Sequence, residues 1–531
     1  MYICSMKKYV MLAAVAAMPF ISFAGEPASV FITAGQSNSE GRALVSEKPS
    51  YLNRGYKHLK YADVRPTQDG RFGKFKFGKT FAYCDVVNYL IDKASDKDFY
   101  AIKCTYGGTA ITPGQTKEGK PVWYANAEWL AQNKSYNKKD GGMSLAKSLT
   151  EGFAKCAETT LSKLKDGYDV KAIMWHQGES DRKIPEAYYD NFKDLITYMR
   201  DQIYAVTGDE KDKTLPFIFG TVPHTSKQYS PVVEAAQFKV ASELPNVYVI
   251  DLSDAGFGED QLHFNGEWTE YVGKQMFNKL VDLDLVSAER VSVDKPAPVS
   301  DIAGQLTIYR PAQPNGKALV VCPGGGYDHH AMEHEGTRVG EWLSGEGYTC
   351  AVLNYRLPGG KSNIPTDDSR AAIRYLRAHA DSLGIDAHKV GIMGFSAGGH
   401  LAASTSTLSD SLSRPDFQVL IYPVISMDEG VTHAGSRRNL IGKNPSQIMI
   451  DRFSADRQVS PTTPPAIIVL SADDNAVPPE NSLRMFKALK ANNVPVEMHI
   501  YPVGGHGWGM RDRVYFKPQW QAEVISWLNR I

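Results

Sequence analysis

Short, uninterrupted runs of apolar and β-branched residues alternate with longer amphipathic stretches along most of the chain. Runs of the first kind are typical of strands buried on both faces of a parallel sheet. Their alternation with helical stretches, such as the one at 368–383, predicts an α/β protein with doubly wound sheets. Strands are predicted at 29–33, 170–175, 217–222 and 247–251, and then at 318–322, 350–354, 390–393, 419–422, 466–470 and 497–501.

The pattern is interrupted near the middle of the chain. A helical stretch ends near Leu285, and a Val-Asp-Lys-Pro-Ala-Pro segment follows at 293–298, where proline denies helix continuation. A chain of 531 residues also exceeds what one hydrophobic core usually supports. We predict a first domain at 25–285, a linker at 286–300 and a second domain at 301–531, with no internal repeat and two different folds.

The N-terminus has the pattern of a secretory signal. Lys7 and Lys8 precede an apolar run at 9–23, and Ser22 and Ala24 supply small residues at the expected cleavage positions. We predict a signal peptide at 1–24 and a secreted or periplasmic protein. A membrane anchor is the alternative, although the run is short for a span. No later segment is long and apolar enough to cross a bilayer, so no membrane span is expected after signal removal.

The amino-acid composition indicates which kinds of molecule the protein is expected to bind. Hydrophobic residues make up 43% and charged residues 22% of the chain, which is typical of a soluble globular protein. The 59 basic and 59 acidic residues give a formal net charge of zero, so nucleic acid is not an expected partner and a neutral substrate fits. The five cysteines after the signal are scattered, which predicts buried free thiols rather than a disulfide framework or a zinc site.

Four blocks in the first half carry candidate chemistry. A predicted strand runs into a Gly-Gln-Ser-Asn turn at 35–38, which can expose Ser37 at the edge of the sheet. A Tyr-Gly-Gly-Thr block at 106–109, a Trp-His-Gln-Gly-Glu block at 175–179 and an Asp-x-x-His block at 260–263 follow. A serine hydroxyl attacks a carbonyl only where an imidazole takes its proton and fixed donors receive the oxyanion. In this order the blocks resemble the SGNH hydrolases.

The blocks resemble more closely the carbohydrate-acetylesterase branch of that group, which includes sialate O-acetylesterases and acetyl xylan esterases. The resemblance covers roughly residues 28–280 and implies a flavodoxin-like fold. It implies that Ser37 is the nucleophile, that His263 is the general base and that Asp260 orients His263. The oxyanion donors it implies are Gly108, Gln177 and the Ser37 backbone N–H. Gln177 stands where the wider superfamily has Asn, and Glu179 is a second candidate for the orienting acid.

The first half also contains tryptophans near these blocks. Trp123, Trp129 and Trp175 could stack on sugar rings or pack in the core, and the sequence leaves both interpretations open.

The second half contains a Gly-x-Ser-x-Gly turn at 394–398 between a predicted strand and a helix. This pattern is typical of a nucleophile elbow, in which the helix N-terminus favours negative charge at Ser396. A glycine-rich loop at 324–326 follows an earlier strand, and backbone N–H groups there and at Ala397 are expected to bind the oxyanion. Asp474 and His506 follow later strands, in the Ser, Asp, His order of the α/β-hydrolases.

This region resembles α/β-hydrolase esterases of the acetyl-xylan-esterase-like type, which are related to prolyl oligopeptidase-like domains. The resemblance covers about 300–531. It implies that Ser396 attacks, that His506 transfers the proton and that Asp474 orients His506, with Asp473 as the rival acid. Gly325, Gly326 and Ala397 are the expected oxyanion donors.

Three histidines lie just after the glycine loop, beside two glutamates. His329, His330 and His334 could form a metal site or the rim of a pocket. Neither esterase mechanism requires a cofactor or a metal, and none is predicted.

These observations predict a secreted, bifunctional carbohydrate esterase that removes O-acetyl groups from acetylated polysaccharide or oligosaccharide, with acetylated xylan as the favoured substrate. Two independent Ser-His-Asp sites would do this chemistry. A sialate O-acetylesterase in the first half with a feruloyl esterase or peptidase in the second is the alternative. A binding module that kept a hydrolase fold is a further one. The exact sugar, the acetyl position and the oligomeric state are left open.

Overall fold

The computed structural model describes residues 27–63, 71–116, 120–133, 148–164, 167–293 and 302–531. Its strands form one large parallel sheet in the first half of the chain and a second large sheet in the second half, and two short strands of the first half, at 43–44 and 80–81, form a separate antiparallel pair. The strands of the first half are β1 (Ala28–Gly35), β2 (Ala43–Leu44), β3 (Leu59–Asp63), β4 (Thr80–Phe81), β5 (Phe99–Thr105), β6 (Tyr168–His176), β7 (Phe217–Gly220) and β8 (Val247–Ile250). The helices are α1 (Ser37–Glu40), α2 (Tyr83–Ala94), α3 (Ala127–Gln132), α4 (Leu149–Leu161), α5 (Tyr188–Thr207), α6 (Pro231–Glu243) and α7 (Gly266–Asp282).

The first sheet has six parallel strands in the order β3-β5-β1-β6-β7-β8. The chain leaves β1 toward one side of the sheet and returns to build the other side, so the strand order reverses at β1. In open α/β sheets ligands bind at the carboxyl ends of strands at this point. Ser37 therefore lies where the topology places an active site.

The second sheet has seven strands in the order β15-β14-β13-β12-β10-β11-β9, all parallel except β9, which is antiparallel to β11. Its strands are β9 (Leu306–Tyr309), β10 (Gly316–Cys322), β11 (Thr349–Leu353), β12 (Ile385–Phe395), β13 (Gln418–Ile421), β14 (Ala466–Ser471) and β15 (Val496–Tyr501). Its helices are α8 (Arg338–Gly345), α9 (Ile364–Ala378), α10 (Ala380–Leu383), α11 (Ser396–Leu408), α12 (Ala434–Ile441), α13 (Gln447–Phe453), α14 (Glu480–Ala491) and α15 (Lys517–Arg530). The predicted fold class, α/β with two doubly wound sheets, is confirmed.

Strands β2, β3, β4, β5 and β9 were not predicted. The polar residues in β5 have a structural explanation: Lys103 is 8% exposed, and its amine donates to the Glu40 backbone carbonyl at 2.6 Å. A lysine in a buried strand interrupts the apolar run by which such strands are found. The predicted helix at 368–383 is divided at His379 between α9 and α10.

The predicted linker falls between α7 and β9. Residues 294–301 lie outside the described residues, and so does the predicted signal peptide at 1–24. The limits of the two domains therefore stay a prediction.

Helices α6 and α13 pack the two halves against each other. Ala235 is part of the hydrophobic core of the second half, and Ile448 packs against a core of the first. The guanidinium of Arg452 lies 3.8 Å from the centre of the Phe238 ring. The two halves thus share a packed interface.

A buried histidine bridges the same interface. His224 lies 2.8 Å from the Glu234 carboxylate through Nε2 and 2.6 Å from the Asp367 carboxylate of α9 through Nδ1. Burial by itself would lower the pKa of His224, but these two carboxylates raise it to about 10. His224 is therefore charged at neutral pH and pairs with acids from both halves.

Within the described ranges, no helix combines the length and apolar character needed to span a bilayer. The five cysteines after the predicted signal are free thiols, and four of them are buried, as the sequence predicted for most of them. They are Cys84, Cys104, Cys156, Cys322 and Cys350.

Candidate active sites

Ser396 lies at a strained turn between β12 and α11. Its φ is +54°, in the left-handed region, which costs of order 1–3 kcal/mol for a non-glycine residue. Glycine is required on both sides, because a Cβ at Gly394 would lie 2.1 Å from the Gly398 carbonyl oxygen, and one at Gly398 would lie 2.1 Å from that of Cys322. The strand-to-helix turn thus presents the hydroxyl at the N-terminus of a helix.

The hydroxyl of Ser396 is joined to an imidazole and a carboxylate. Its Oγ lies 2.7 Å from Nε2 of His506, whose Nδ1 lies 2.6 Å from Oδ2 of Asp474. The Asp474 side chain is only 1% exposed, and its other oxygen accepts two backbone N–H bonds of its own loop. Asp473 instead is exposed and accepts the Gly505 N–H at 2.8 Å. The structure therefore pairs His506 with Asp474.

The glycine loop after β10 lies against the nucleophile. A Cβ at Gly324 would lie 2.9 Å from Cβ of Ser396, and one at Gly325, whose φ is +126°, would lie 2.1 Å from the His329 carbonyl oxygen. The loop therefore carries Gly325 and Gly326 next to Ser396. Ala397 is in the first turn of α11, where backbone N–H groups have no partner within the helix. The glycine loop and the first turn of α11 thus both lie beside Ser396, and the role of Gly325, Gly326 and Ala397 as oxyanion donors stays a prediction.

A buried glutamate, Glu335, lies behind this loop, and no sequence motif indicated that it belongs to the site. Glu335 accepts the Gly324 N–H at 2.8 Å and the Tyr422 hydroxyl at 2.8 Å. The Tyr422 ring in turn lies 4.9 Å from the His506 ring. Burial raises the pKa of Glu335, and the hydrogen bonds from Tyr422 and Gly324 oppose this rise. Glu335 thereby connects the glycine loop with the residues that pack on His506.

The three histidines after the loop have separate surroundings. His329 is exposed, His330 packs edge-on against the Tyr355 ring at 4.4 Å, and His334 lies 3.1 Å from Arg511. Among the described residues, no group of three or more His, Cys, Asp or Glu side chains is arranged to hold a metal.

Ser37 opens α1, directly after the turn that ends β1. A Cβ at Gly35, whose φ is +123°, would lie 2.4 Å from the His176 carbonyl oxygen, so this turn requires glycine. Ser37 borders a cavity of about 820 Å³. The other residues that line it include Gln36, Gly107, Gly108, Glu179, Asp260 and His263, together with the cations Arg42, Lys120, Arg182 and Lys183.

The imidazole and carboxylate of this first site are paired with each other. Nδ1 of His263 lies 2.5 Å from Oδ2 of Asp260, whose side chain is 51% exposed. Partial burial raises the pKa of Asp260, but hydrogen bonds with His263 bring it below its usual value. The hydrogen bonds found among the described residues include none between the Ser37 hydroxyl and His263. Both side chains nevertheless face the same cavity.

Glu179 holds the turn that carries Ser37. It is 2% exposed and accepts hydrogen bonds from the side-chain amides of Gln36 at 2.5 Å and Asn38 at 2.8 Å. His176 lies 3.0 Å away through Nε2. Burial would raise the pKa of Glu179, but His176 and these hydrogen bonds lower it. Glu179 therefore binds the turn that carries Ser37, whereas Asp260 is the carboxylate that pairs with His263.

The structure does not bring the Gln177 amide into the cavity. Gln177 is completely buried, and its Nε2 donates to Asp181 at 2.5 Å and to the Thr109 carbonyl at 3.2 Å. Burial raises the pKa of Asp181 to about 6, despite the hydrogen bond from Gln177. With its donors used in this way, Gln177 supports the structure behind Gly108. The oxyanion role predicted for it would need a rearrangement, whereas Gly108 does line the cavity.

Two of the three tryptophans pack in the core. Trp123 and Trp175 are 1% and 0% exposed, and their rings lie 5.2 Å apart. Trp129 is partly exposed beside Tyr124. Stacking on a sugar is therefore open only to Trp129.

Each half of the chain matches a different esterase family. Residues 27–282 match the family described as carbohydrate esterase, sialic acid-specific acetylesterase, and residues 306–489 match the BD-FAE family. The acetylxylan esterase of Xylanibacter ruminicola is 39% identical over 235 residues, which are 44% of this chain and 49% of that protein. The endo-1,4-beta-xylanase B of Butyrivibrio fibrisolvens is 34% identical over 213 residues, 37% of this chain and 33% of that protein. The chain thus spans half or less of the length of these curated relatives.

Among solved structures, the acetyl ester-xyloside bifunctional hydrolase from Caldicellulosiruptor lactoaceticus is 37% identical, with 44% of this chain and 91% of that chain covered and a TM-score of 0.40. The carboxylesterase Cest-2923 from Lactobacillus plantarum is 25% identical, with 42% and 92% covered and a TM-score of 0.38. The first matched region includes Ser37, Asp260 and His263, and the second includes Ser396 and Asp474 but ends before His506. The chain therefore joins a first domain of the sialic acid-specific acetylesterase family of carbohydrate esterases to a second, α/β-hydrolase domain of the BD-FAE family.

Proposed function

We propose that the protein is a carboxylic ester hydrolase that removes O-acetyl groups from plant polysaccharide, with acetylated xylan as its substrate, through two separate serine sites. The observation that carries this proposal is the hydrogen-bonded series Ser396–His506–Asp474 in a chain whose other domain belongs to a carbohydrate esterase family. The 39% identity to an acetylxylan esterase supports the choice of substrate.

At the second site, Nε2 of His506 would take the Ser396 proton as Oγ bonds to the acetyl carbonyl carbon. Backbone N–H groups of Gly325, Gly326 and Ala397 would stabilise the oxyanion, and Asp474 the imidazolium. His506 would then return the proton to the departing sugar oxygen as the ester bond breaks. Water, deprotonated by His506, would attack the carbonyl carbon of the acetyl-serine, and His506 would return that proton to Oγ of Ser396 as acetate leaves.

At the first site the same steps need the imidazole of His263 to approach Ser37. The His263 side chain is 25% exposed at the edge of a large cavity, so it has space to turn while Asp260 follows it. Hydrogen bonds in catalytic sites are often long before substrate binds and tighten in the complex. We propose Gly108 and the Ser37 N–H as its oxyanion donors.

The proposal includes export. The predicted signal at 1–24 would direct the protein to the periplasm or outside the cell, where plant polysaccharide is met.

A second candidate for the first site is an O-acetylated acidic sugar such as sialic acid. Four cations line the cavity, Arg42, Lys120, Arg182 and Lys183, and the carboxylate of such a sugar would complement them. The family description names the same substrate class.

The test uses Ser37→Ala and Ser396→Ala variants, singly and together, on acetylated xylan and on O-acetylated sialic acid. Products are identified by mass spectrometry and NMR, and reactive serines by a fluorophosphonate probe. We expect each single variant to release acetate from xylan. The acetyl groups that remain on the xylan should be at different positions for the two variants, and each variant should react with one molecule of the fluorophosphonate probe. A domain whose serine takes no label would be a binding module, and loss of the same product in both variants would contradict a division of labour.

A further inference from the structure

A second cavity, of about 600 Å³, lies between the two domains. Tyr327 and Asp328, which directly follow the glycine loop of the second domain, form one side of it. Glu186, Pro231 and Val232 of the first domain form another. We call this space the inter-domain cavity.

The lining of the inter-domain cavity is joined to the glycine loop of the Ser396 site by a hydrogen bond. Asn439 lines it and donates through Nδ2 to the Gly326 carbonyl at 2.9 Å. A Cβ on Gly326 would lie 3.6 Å from the His433 ring, so the start of α12 also borders the glycine loop. A molecule in this cavity would therefore lie beside the predicted oxyanion donors.

The inter-domain cavity is also next to the Ser37 cavity. Lys183 lines the Ser37 cavity, and Glu186, three residues later, lines the inter-domain cavity. Likewise, Gln228 lines the Ser37 cavity, and Pro231, three residues later, lines the inter-domain cavity. Three residues of chain span at most about 11 Å. The two cavities are therefore close to each other, because two short segments of the first domain, 183–186 and 228–231, each reach from one to the other.

The domain interface holds these walls in place. Besides the ion pair of His224 with Asp367, Nη1 of Arg370 in α9 donates to the Ser253 hydroxyl at 2.9 Å. Both contacts join the domains through polar groups that are buried or partly buried, which fixes their relative position.

The lining suits a carbohydrate chain. It includes both apolar side chains that can contact sugar C–H faces and polar ones that can bond sugar hydroxyls. The apolar ones are Leu357 and Met449, and the polar ones are Asp328, Arg438 and Asn439.

We propose that the inter-domain cavity is a polysaccharide-binding subsite shared by both catalytic sites, so that one substrate chain extends from the Ser37 cavity past the glycine loop of the Ser396 site. This inference rests on the proposed function. It makes the first domain part of the substrate-binding surface of the second. A chain held at one site would raise the local concentration of further acetyl groups at the other.

Two tryptophan substitutions that fill the cavity test the proposal. Asn444→Trp fills it from the second domain and Glu186→Trp from the first, and both positions are exposed. The matched controls are Lys443→Trp and Asp190→Trp, exposed neighbours outside the lining. Each is made in Ser37→Ala and in Ser396→Ala backgrounds. Steady-state kinetics are measured with polymeric acetylated xylan, acetylated xylose and 4-nitrophenyl acetate, and thermal melting verifies folding.

We expect the cavity-filling variants to lower kcat/KM for the polymer about tenfold relative to that for 4-nitrophenyl acetate, mainly through KM, in both backgrounds. The controls should keep the wild-type ratio. An unchanged ratio in both folded cavity variants overturns the proposal, and so does an equal loss on acetylated xylose. Failure of the proposed function looks different: the wild-type protein would then hydrolyse the aryl ester and leave xylan acetylated.

Discussion

The two serine sites use the same three residue types in different states of assembly. At the second site Ser396, His506 and Asp474 form a continuous hydrogen-bonded series, and the acid is 1% exposed. At the first site only His263 and Asp260 are joined, and the acid is 51% exposed. A buried carboxylate orients its imidazole in a low dielectric, whereas water competes with an exposed one. The second site is therefore preorganised, whereas the catalysis that we propose for the first site requires it to close on its substrate.

The nucleophiles are also held by different means. Ser396 is held by a strained backbone, with φ at +54° between glycines that leave no room for a side chain. Ser37 is held by polar side chains, since Glu179 binds the residues on both sides of it.

Removing the nucleophiles has the largest expected effect. Adding Ser396→Ala to a Ser37→Ala background should lower 4-nitrophenyl acetate hydrolysis by up to about a million-fold, as expected when an attacking hydroxyl is lost. Stopped-flow and long-time assays measure this range. Substantial residual turnover in the double variant would mean that a third group does the chemistry.

Neutralising the acid that pairs with the histidine should lower kcat more at the second site than at the first. In single-site backgrounds, Asp474→Asn should lower kcat by about 10⁴-fold, because the imidazole loses its buried orienting charge. Asp260→Asn should cost about 10- to 100-fold, because its charge is already screened by water. Steady-state kcat values decide the comparison, with Asp473→Asn as the control for a neighbouring surface acid. Equal losses at the two sites would show that acid burial is not what distinguishes them.

The buried glutamates Glu335 and Glu179 should act through the residues that they hold. Both carboxylate oxygens of Glu335 accept a hydrogen bond, one from Gly324 and one from Tyr422, and Glu335→Gln replaces one of these acceptors with an NH₂ group. We therefore expect kcat at the second site to fall about 10- to 100-fold with KM nearly constant. Glu179→Gln should do the same at the first site. A lower melting temperature together with a higher KM and an unchanged kcat would indicate a purely structural role for these acids.

The smallest expected change in activity comes from the interface between the domains. His224→Gln removes the cation that lies between the buried Glu234 and the partly exposed Asp367, and it should destabilise the protein by about 3 kcal/mol at pH 7. The pKa of His224 is raised in the folded protein to about 10, so its stabilisation is complete below its ordinary pKa and is lost as pH rises through 10. Chemical denaturation of both proteins from pH 6 to pH 10.5 should show the difference shrinking at the alkaline end. A constant difference would contradict a charged His224.

Local patterns predicted much of this molecule. The central strands are buried on both faces, so they are continuous apolar runs, and motifs at their carboxyl ends placed Ser37 and Ser396. The Asp474–His506 pairing followed from the order of motifs in a resembled family. Strand β5 was missed because its buried lysine finds its partner, the Glu40 carbonyl, 63 residues away.

The contacts that distinguish the two sites are long-range. Glu335 reaches Tyr422 across 87 positions, and Glu179 reaches Gln36 across 143. Gln177 lies in a motif yet uses its donors on Asp181 and Thr109, which no spacing indicates. The cations around Ser37 come from separated segments in a chain of zero net charge.

Secondary-structure order and the two nucleophile turns can be read from residues near one another in the chain, because backbone sterics and apolar periodicity act locally. Burial of the acids, assembly of the serine–histidine contacts and the wall that the first domain contributes beside the second active site depend on which distant segments meet. Only folding decides these, because the dielectric and the hydrogen-bond partners of a side chain are set by the neighbours that packing brings to it.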